Sequence, residues 1–168
     1  MNAYEWLVDN LKNREVKPKK EKVRPEKKKH TVSVMLDPGA MMPTRAHSTD
    51  AGLDLYSPER VVIPANSWES IDTGVHIAIP KGYVGMVTSK SGLMANSGIT
   101  SRGTIDCGYN GSIKAVLFNH SNKDFTVERG QKITQLVLMP IITPELEVAY
   151  SLKATERGNG GFGSTGVF

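Results

Sequence analysis

The chain has 168 residues, of which 39% are hydrophobic and 23% charged, a composition that is ordinary for one soluble globular domain. Its charge is uneven: residues 1–30 carry 10 basic and 5 acidic side chains, whereas residues 31–168 carry 11 and 12. A single cysteine, Cys107, excludes an internal disulfide framework and the paired thiolates of a structural zinc site. No apolar run approaches the roughly 20 residues of a membrane span, and no signal peptide is visible. We therefore expect a soluble, cytoplasmic protein.

Residues 1–30 are predicted to form a basic extension outside the main domain. Within YEWLVDNLKNREV, residues 4–16, Leu7 and Leu11 lie four positions apart, which predicts one short amphipathic helix. KPKKEKVRPEKKK, residues 17–29, combines two prolines with many like charges and predicts an extended, solvated linker. Two interpretations of this linker remain open: a disordered arm, or a basic arm that contacts nucleic acid or a protein partner.

Residues 31–155 change to short apolar segments separated by turns. The predicted strands are TVSVML, RVVIP, IDTGVHIAIP, GYVGMVTS, GSIKAVLF and KITQLVLMPI, separated by PAN, PKG, NSG, YNG and ERG. SGLMAN, residues 91–96, is predicted to form one helical turn at most. Turns about every ten residues, without a sustained helical period, predict an all-β fold, a distorted β-barrel or a jelly roll.

The segment ERGNGGFGSTGVF, residues 156–168, places Phe162 among five glycines. Glycine loses more backbone freedom on ordering than any other residue, so this segment is predicted to be a flexible arm that orders only against a ligand. A P-loop is excluded because the lysine of that motif is missing and no helix can follow. The arm's backbone N–H groups, hydroxyls, Arg157 and one ring could instead wrap phosphates and cap a base.

Five motifs occur in the order, and at roughly the spacing, of those of the trimeric dUTPases. They are AGLDLYS (51–57), SKSGLM (89–94), GTIDCGYNG (103–111), RGQKITQ (129–135) and RGNGGFGSTG (157–166). From residue 31 onward the chain resembles this family, most of all its bacterial and phage members. The resemblance implies a jelly-roll homotrimer that hydrolyses dUTP to dUMP and pyrophosphate with Mg²⁺, at sites assembled from more than one subunit. Such an enzyme keeps uracil out of DNA and supplies dUMP for thymidylate synthesis.

The third motif would carry the chemistry that this resemblance implies. Asp106 matches the carboxylate that activates water, although an Asp beside Gly and Asn is commonly just a turn former. Tyr109 matches the ring that packs under deoxyribose and leaves no room for a 2′-hydroxyl. Uracil would be read by the main chain of a hairpin from Thr100 to Tyr109, which rejects cytosine because the wrong base leaves polar groups unpaired. The implied substrate contacts in this region are Thr100, Gly103, Thr104, Ile105, Tyr109 and Lys114.

The other motifs match the family's phosphate and metal contacts. Ser91 and Gly92 match the segment that lies against the triphosphate, and Gln135 matches a phosphate-side glutamine. Lys90 stands where the family usually has Arg, so the charge is kept but the two-pronged grip is lost. Asp54 matches a carboxylate that helps to hold Mg²⁺, through water.

In the last motif, the resemblance implies a lid that folds over the bound nucleotide. Phe162 would stack on uracil while Arg157 and the hydroxyls close on the phosphates. The implied contacts of the lid are Arg157, Phe162, Gly163, Ser164 and Thr165. Two residues depart from the family pattern: Cys107, beside the predicted base, and Gly108, where the family often has an acidic residue.

Two other functions remain open. A dCTP deaminase shares this fold, but a zinc deaminase needs a cysteine pair that this chain lacks. The metal-free deaminases use a Glu near the hairpin, and no Glu occurs between Glu69 and Glu128. A regulatory or signalling protein that docks through the basic arm is the alternative from another class, and that role could coexist with catalysis.

Overall fold

The computed structural model describes residues 31–162 and residue 164, and from Val32 onward these form one compact unit. The predicted helix and linker of residues 1–30 lie outside the described residues, as do Gly163 and residues 165–168. Within the described part, no helix has the length and apolar character needed to cross a membrane.

Strands dominate the described part of the chain, which confirms the predicted all-β fold. They are β1 (Val34–Leu36), β2 (Gly52–Tyr56), β3 (Val61–Ile63), β4 (Trp68–Asp72), β5 (Val75–Ile77), β6 (Tyr83–Ser89), β7 (Ile99–Ile105), β8 (Lys114–Asn119), β9 (Phe125–Val127) and β10 (Lys132–Pro140), with a helix α1 (Ser91–Ser97) between β6 and β7. The segment IDTGVHIAIP is divided between β4 and β5 because Gly74 turns the chain with φ 64°. Strands β2, β7 and β9 were not among the predicted strands.

Six strands form one curled antiparallel sheet in the order β2-β10-β6-β7-β8-β4, and the pairs β1-β5 and β3-β9 form two smaller sheets. Two apolar clusters fill the interior. The first contains Leu55, Val75, Ile77, Ile79, Val87, Ile113 and Leu136, and the second contains Ile63, Ile71, Ile99, Ala115, Leu117, Val127 and Ile133. Strand β7 is shared along its length: Ile99 to Ser101 pair with β8, whereas Arg102 to Ile105 pair with β6. The sheet therefore opens on one side of β7, where β8 leaves it.

Helix α1 corrects the prediction of at most one helical turn. It spans the seven residues Ser91–Ser97, about two turns. Lys90, whose backbone is extended, precedes the helix, and Gly98, with φ 67°, ends it. The N–H of Gly98 donates to the carbonyl of Met94 at 3.1 Å. Leu93 is the residue of α1 that packs against the second apolar cluster. A single apolar contact gives no periodicity in the sequence, which is why the pattern underestimated this helix.

Candidate active site

The loop between β7 and β8 places the predicted catalytic carboxylate in a cavity. This cavity has a volume of about 300 Å³ and is lined by Val87, Arg102, Gly103, Thr104, Ile105, Asp106, Tyr109, Lys114 and Val116. Six of the sequence-predicted site residues thus share one space: Gly103, Thr104, Ile105, Asp106, Tyr109 and Lys114. Arg102 also lines it and was not predicted, because it lies just before the third motif and an isolated arginine gives no signal of its own.

The cavity exists because β7 and β8 diverge after Ser101. Beyond that residue β7 pairs only with β6, so its other edge, at Arg102 to Ile105, takes no part in a ladder. Lys114 and Val116 of β8 stand across the gap. An unpaired strand edge presents N–H and C=O groups in alternation, which is what is needed to hydrogen-bond the edge of a planar base.

A tight turn sets the direction of Asp106. The N–H of Tyr109 donates to the carbonyl of Asp106 at 3.1 Å, and Gly108, the third residue of the turn, has φ 90°. This is the position at which a type II turn demands a positive φ, so glycine is favoured there over an acidic residue. The departure at Gly108 therefore has a conformational explanation, whereas the exposed Cys107 has none in the structure.

The ring of Tyr109 is fixed by two contacts. Its hydroxyl donates to the carbonyl of Ser112 at 3.0 Å, and the ring lies so close to Gly111 that a Cβ there would collide with the phenol group. Gly111 is thus needed for this ring position and was missed by sequence reasoning, which treated YNG as a turn signal only. A ring held in this way can discriminate at the sugar by excluding an extra oxygen.

The turn between β4 and β5 holds the far end of the same loop. Thr73 donates from Oγ1 to the carbonyl of Ile113 at 2.6 Å, and Asp72 Oδ1 accepts hydrogen bonds from the hydroxyl of Ser112 and from the N–H of Gly74. The hydroxyl of Ser112 is the main cause that holds the pKa of Asp72 below its usual value. The loop is consequently anchored on the C-terminal side of Tyr109.

His76 of β5 provides a further anchor for the loop. Its Nδ1 lies 2.8 Å from the carbonyl oxygen of Asn110, and its Nε2 lies 3.1 Å from Asp37 Oδ2, out of line for a hydrogen bond. The contact with Asp37 is an ion pair when the ring is protonated. The carbonyl of Asn110, and then Asp37, raise the pKa of His76. Protonation lets the ring donate to Asn110 while it faces a carboxylate.

This anchor should make the stability of the protein depend on pH. Because the folded-state pKa of His76 is raised above 6.5, its contribution is complete below pH 6.5 and is lost as pH rises through the folded-state pKa. We expect the melting temperature of wild type to exceed that of H76Q at about pH 5.5, and the difference to shrink by about pH 8.5. H47Q, at an exposed histidine paired with Asp50, is the matched control. A difference that is constant with pH would contradict the prediction.

A second cluster of predicted residues gathers at the end of β6. Asp54 of β2 lies opposite Gln135 of β10, and its Oδ1 is 2.5 Å from Lys90 Nζ. Its Oδ2 is 2.8 Å from the Nζ of Lys132, a residue that was not predicted. Gln135 donates from Nε2 to the carbonyl of Ser89 at 3.1 Å. Three predicted residues, Asp54, Lys90 and Gln135, are thus brought together, with Ser91 and Gly92 following Lys90 in α1.

The two lysines favour the ionised form of the Asp54 carboxyl group. Burial alone would raise the pKa of Asp54, but the hydrogen bonds from Lys132 and Lys90 outweigh it and hold that pKa below the usual value. A carboxylate has about four acceptor positions, of which the two lysines take one on each oxygen. The remaining positions fit a contact with a metal through water, whereas direct ligation would bring the metal against two ammonium groups. In the described residues, no three His, Cys, Asp or Glu side chains form a metal-binding group.

Thr100 does not join the cavity of Asp106. Its Oγ1 lies 2.8 Å from His120 Nε2, and it lines a separate cavity of about 400 Å³ with Ser89, Ser101, Arg102, Phe118 and His120. Thr100 belongs to the part of β7 that is paired with β8, upstream of the point where the strands diverge. Its contact with the base stays a prediction.

The described residues of the predicted lid hydrogen-bond within their own segment. Arg157 donates from Nε to the carbonyl of Gly160 at 3.0 Å, and the N–H of Ser164 donates to the carbonyl of Gly161 at 3.1 Å. Phe162 is fully exposed. Gly163 and Thr165 lie outside the described residues. No described residue of this segment lines the cavity of Asp106.

Comparison with known proteins identifies the family to which this site belongs. The family model described as dUTPase matches residues 39–166. The chain belongs to the dUTPase family. The match includes all five motifs and begins after the basic extension. The cavity of Asp106, the Asp54 cluster and the glycine-rich segment therefore all fall within the dUTPase region.

Curated dUTPases and solved dUTPase structures resemble this chain over most of their length. The Yarrowia lipolytica enzyme is 44% identical over 135 residues, covering 79% of this chain and 86% of its own. The Clostridium acetobutylicum enzyme is 43% identical, covering 79% and 93%. Both are called deoxyuridine 5′-triphosphate nucleotidohydrolase. The dUTPase of Staphylococcus bacteriophage 80alpha with dUPNHPP has a TM-score of 0.77 at 35% identity, covering 82% and 99%. A mutant dUTPase from phage phi11 of S. aureus, 32% identical, with a TM-score of 0.68 and covering 73% and 98%, is described as revealing the coordination of a structural Mg(II) ion.

Proposed function

We propose that this dUTPase-family chain hydrolyses dUTP to dUMP and pyrophosphate, with Asp106 as the general base. The observation that carries the proposal is the cavity in which Asp106, Tyr109 and the unpaired edge of β7 face one another. These groups supply the base, the sugar selection and the uracil contacts of one reaction. The names of the relatives with more than 40% identity support the same substrate.

In the proposed mechanism, uracil enters the gap between β7 and β8 and pairs with the main chain of Gly103 to Ile105. Tyr109 lies against the deoxyribose and excludes a 2′-hydroxyl. The carboxylate of Asp106 takes a proton from a water molecule as its oxygen attacks the α-phosphorus. The bond from the α-phosphorus to the bridging oxygen breaks, and pyrophosphate leaves. Lys90, Ser91, Gly92 and Gln135 bind the phosphates.

We propose Mg²⁺ as the metal cofactor, with Asp54 contacting it through water. Mg²⁺ usually keeps several water ligands and takes others from the phosphates of the substrate. It therefore needs no cage made only of protein ligands. When bound, the ion neutralises charge that develops on the phosphate oxygens. The residues of this chain orient the phosphates and carry the proton.

The positions of the two clusters support a homotrimer whose sites combine residues of different subunits. Ile105 lies opposite Gly85 on β6, so Asp106 stands near Val84, whereas Lys90 follows the other end of that strand. The six residue steps from Val84 to Lys90 correspond to roughly 20 Å along a strand. The α-phosphate cannot touch both clusters of one subunit, and a neighbouring subunit can supply the second one.

The segment after β10 gives independent support for association. Ile142, Leu146, Val148, Tyr150 and Leu152 are 88% to 106% exposed. The last four follow at every second position, so an extended segment presents them on one side. An exposed apolar strip of this kind is typical of a surface that a partner covers. In the proposed trimer the neighbouring subunit covers this apolar strip. We propose separately that the enzyme acts in the cytoplasm.

Pyrophosphate release from a panel of nucleotides tests substrate, sugar and reaction together. With Mg²⁺, we expect dUTP to be hydrolysed with a kcat/KM at least about 100-fold above those of dCTP, dTTP and UTP, because each wrong substrate leaves polar groups unpaired or clashes. Ammonia release from dCTP would instead indicate a deaminase. Equal rates for UTP and dUTP would contradict the role of Tyr109. Removal of Mg²⁺ with a chelator should abolish most of the activity.

A further inference from the structure

The position of Lys132 depends on an irregularity in β10. Lys132 pairs with Tyr56 but Thr134 pairs with Leu55, so one extra residue, Ile133, is inserted in β10 opposite β2. Without this bulge, Lys132 and Gln135 would point to opposite faces of the sheet. With it, Lys132 lies on the face of Asp54 and Tyr56. The insertion therefore brings a second ammonium group to a carboxylate that Lys90 already contacts.

The resulting arrangement has one ammonium group on each oxygen of a nearly buried carboxylate. Lys90 Nζ contacts Oδ1 at 2.5 Å and Lys132 Nζ contacts Oδ2 at 2.8 Å, while the side chain of Asp54 is only 10% exposed. Lys132 Nζ also lies 6.0 Å from the centre of the Tyr56 ring. A lysine contacts a carboxylate as a point charge, whereas one arginine can cover both oxygens. The two lysines together cover both oxygens of Asp54, which a single guanidinium group can do alone.

We propose that Lys132 is a positioning residue of the reaction, acting through Asp54 on Lys90. By occupying Oδ2, Lys132 confines Lys90 to Oδ1. Lys90 precedes Ser91 and Gly92, so its position also sets the start of α1. Without Lys132, the ammonium group of Lys90 is the sole cation for both oxygens and moves in between them, away from the phosphates. This inference rests on the proposed function, in which Lys90, Ser91 and Gly92 bind the phosphates.

A double-mutant cycle between positions 132 and 90 tests this role. We expect K132M to lower kcat/KM for dUTP by about tenfold when Lys90 is present. In the K90R background, the same substitution should lower kcat/KM by less than about threefold, because the guanidinium covers both oxygens and keeps further N–H donors free. The change should appear in KM more than in kcat, since phosphate binding rather than proton transfer is affected.

The comparison of K132M in the Lys90 and K90R backgrounds separates an effect on the position of residue 90 from an effect of net charge. K90R with K132M has the same net charge as K132M alone, so equal losses in both backgrounds would overturn the proposal and indicate a charge effect only. K81M, which removes an exposed lysine, controls for the loss of one positive charge on the protein. Inactive wild type would refute the proposed function, whereas active wild type with additive substitutions would refute this inference alone. If K132M fails to fold, a folded K90R/K132M double variant supports the proposal that K90R compensates for the loss of Lys132. If neither K132M nor the double variant folds, the proposal is contradicted.

Discussion

Replacing Asp106 by Asn is expected to lower the turnover of dUTP by about 10²- to 10⁴-fold, the usual contribution of a general base. Asn has the same shape as Asp and can still hydrogen-bond a water molecule, but it cannot accept a proton from that water. Nothing in the structure ties the Asp106 side chain to the packing of the fold, since Asp106 is exposed in the cavity. The variant should therefore fold, assemble and bind nucleotide as wild type does.

Two measurements isolate this effect. Single-turnover pyrophosphate release gives the rate of the chemical step, and calorimetry with the non-hydrolysable dUpNHpp gives binding. D124N is the matched control: Asp124 Oδ1 accepts a hydrogen bond from the N–H of Ala65, and the oxygen of Asn can accept the same bond. Turnover by D106N within about tenfold of wild type would exclude Asp106 as the base. Loss of dUpNHpp binding would instead indicate a role in positioning the substrate.

Most of the fold was predictable because its strands carry alternating apolar residues. The core strands β6, β8 and β10 show this pattern clearly in the sequence and were predicted. Strand β7 was not, because its sequence ITSRGTI has only Ile99 and Ile105 as apolar residues and crosses from β8 to β6 midway. Its inward face also carries Ser101 and Gly103, so the alternation of burial is not matched by an alternation of apolar and polar residues in the sequence.

The same feature explains how well the site could be predicted. The resemblance assigned Asp106 and Tyr109 without any need for β7, and the structure brings them together. It assigned Thr100 to the same site, but that residue lies on the paired part of β7 and contacts His120. Thr100 is separated from the residues around Asp106 by the point after Ser101 at which β7 and β8 diverge. That point depends on long-range strand pairing rather than on local sequence.

Lys132 and Gly111 were missed for two different physical reasons. Lys132 reaches Asp54 only through the bulge at Ile133, and an extra residue in a ladder is visible only once the partner strand is known. Gly111 is required by the ring of Tyr109, which lies where its Cβ would be. A glycine in a turn sequence predicts a turn, and nothing local distinguishes one that also makes room for a neighbouring side chain.

Removing the chain after Glu156 should leave a folded, assembled protein whose kcat/KM for dUTP is reduced at least about 10- to 100-fold. Stacking of a base on an aromatic ring contributes roughly 1 to 3 kcal/mol, and each 1.4 kcal/mol corresponds to a factor of about ten. The loss of Arg157 and its phosphate contact adds to this effect. The fold should be unaffected, because Phe162 is fully exposed and Arg157 bonds only to Gly160 among the described residues.

Phe162 variants in the full-length chain distinguish stacking from the other roles of the lid. F162A should reproduce the stacking part of the loss, and F162W should restore it, since the larger ring also stacks on uracil. Sedimentation and melting temperature should match wild type for all three proteins. The eleven residues from Arg157 to Val167 can extend over roughly 36 Å, which exceeds the roughly 20 Å between the two clusters. A truncated protein with unchanged kcat/KM would show that the site works open, and the uracil would then be held by the β7 edge alone.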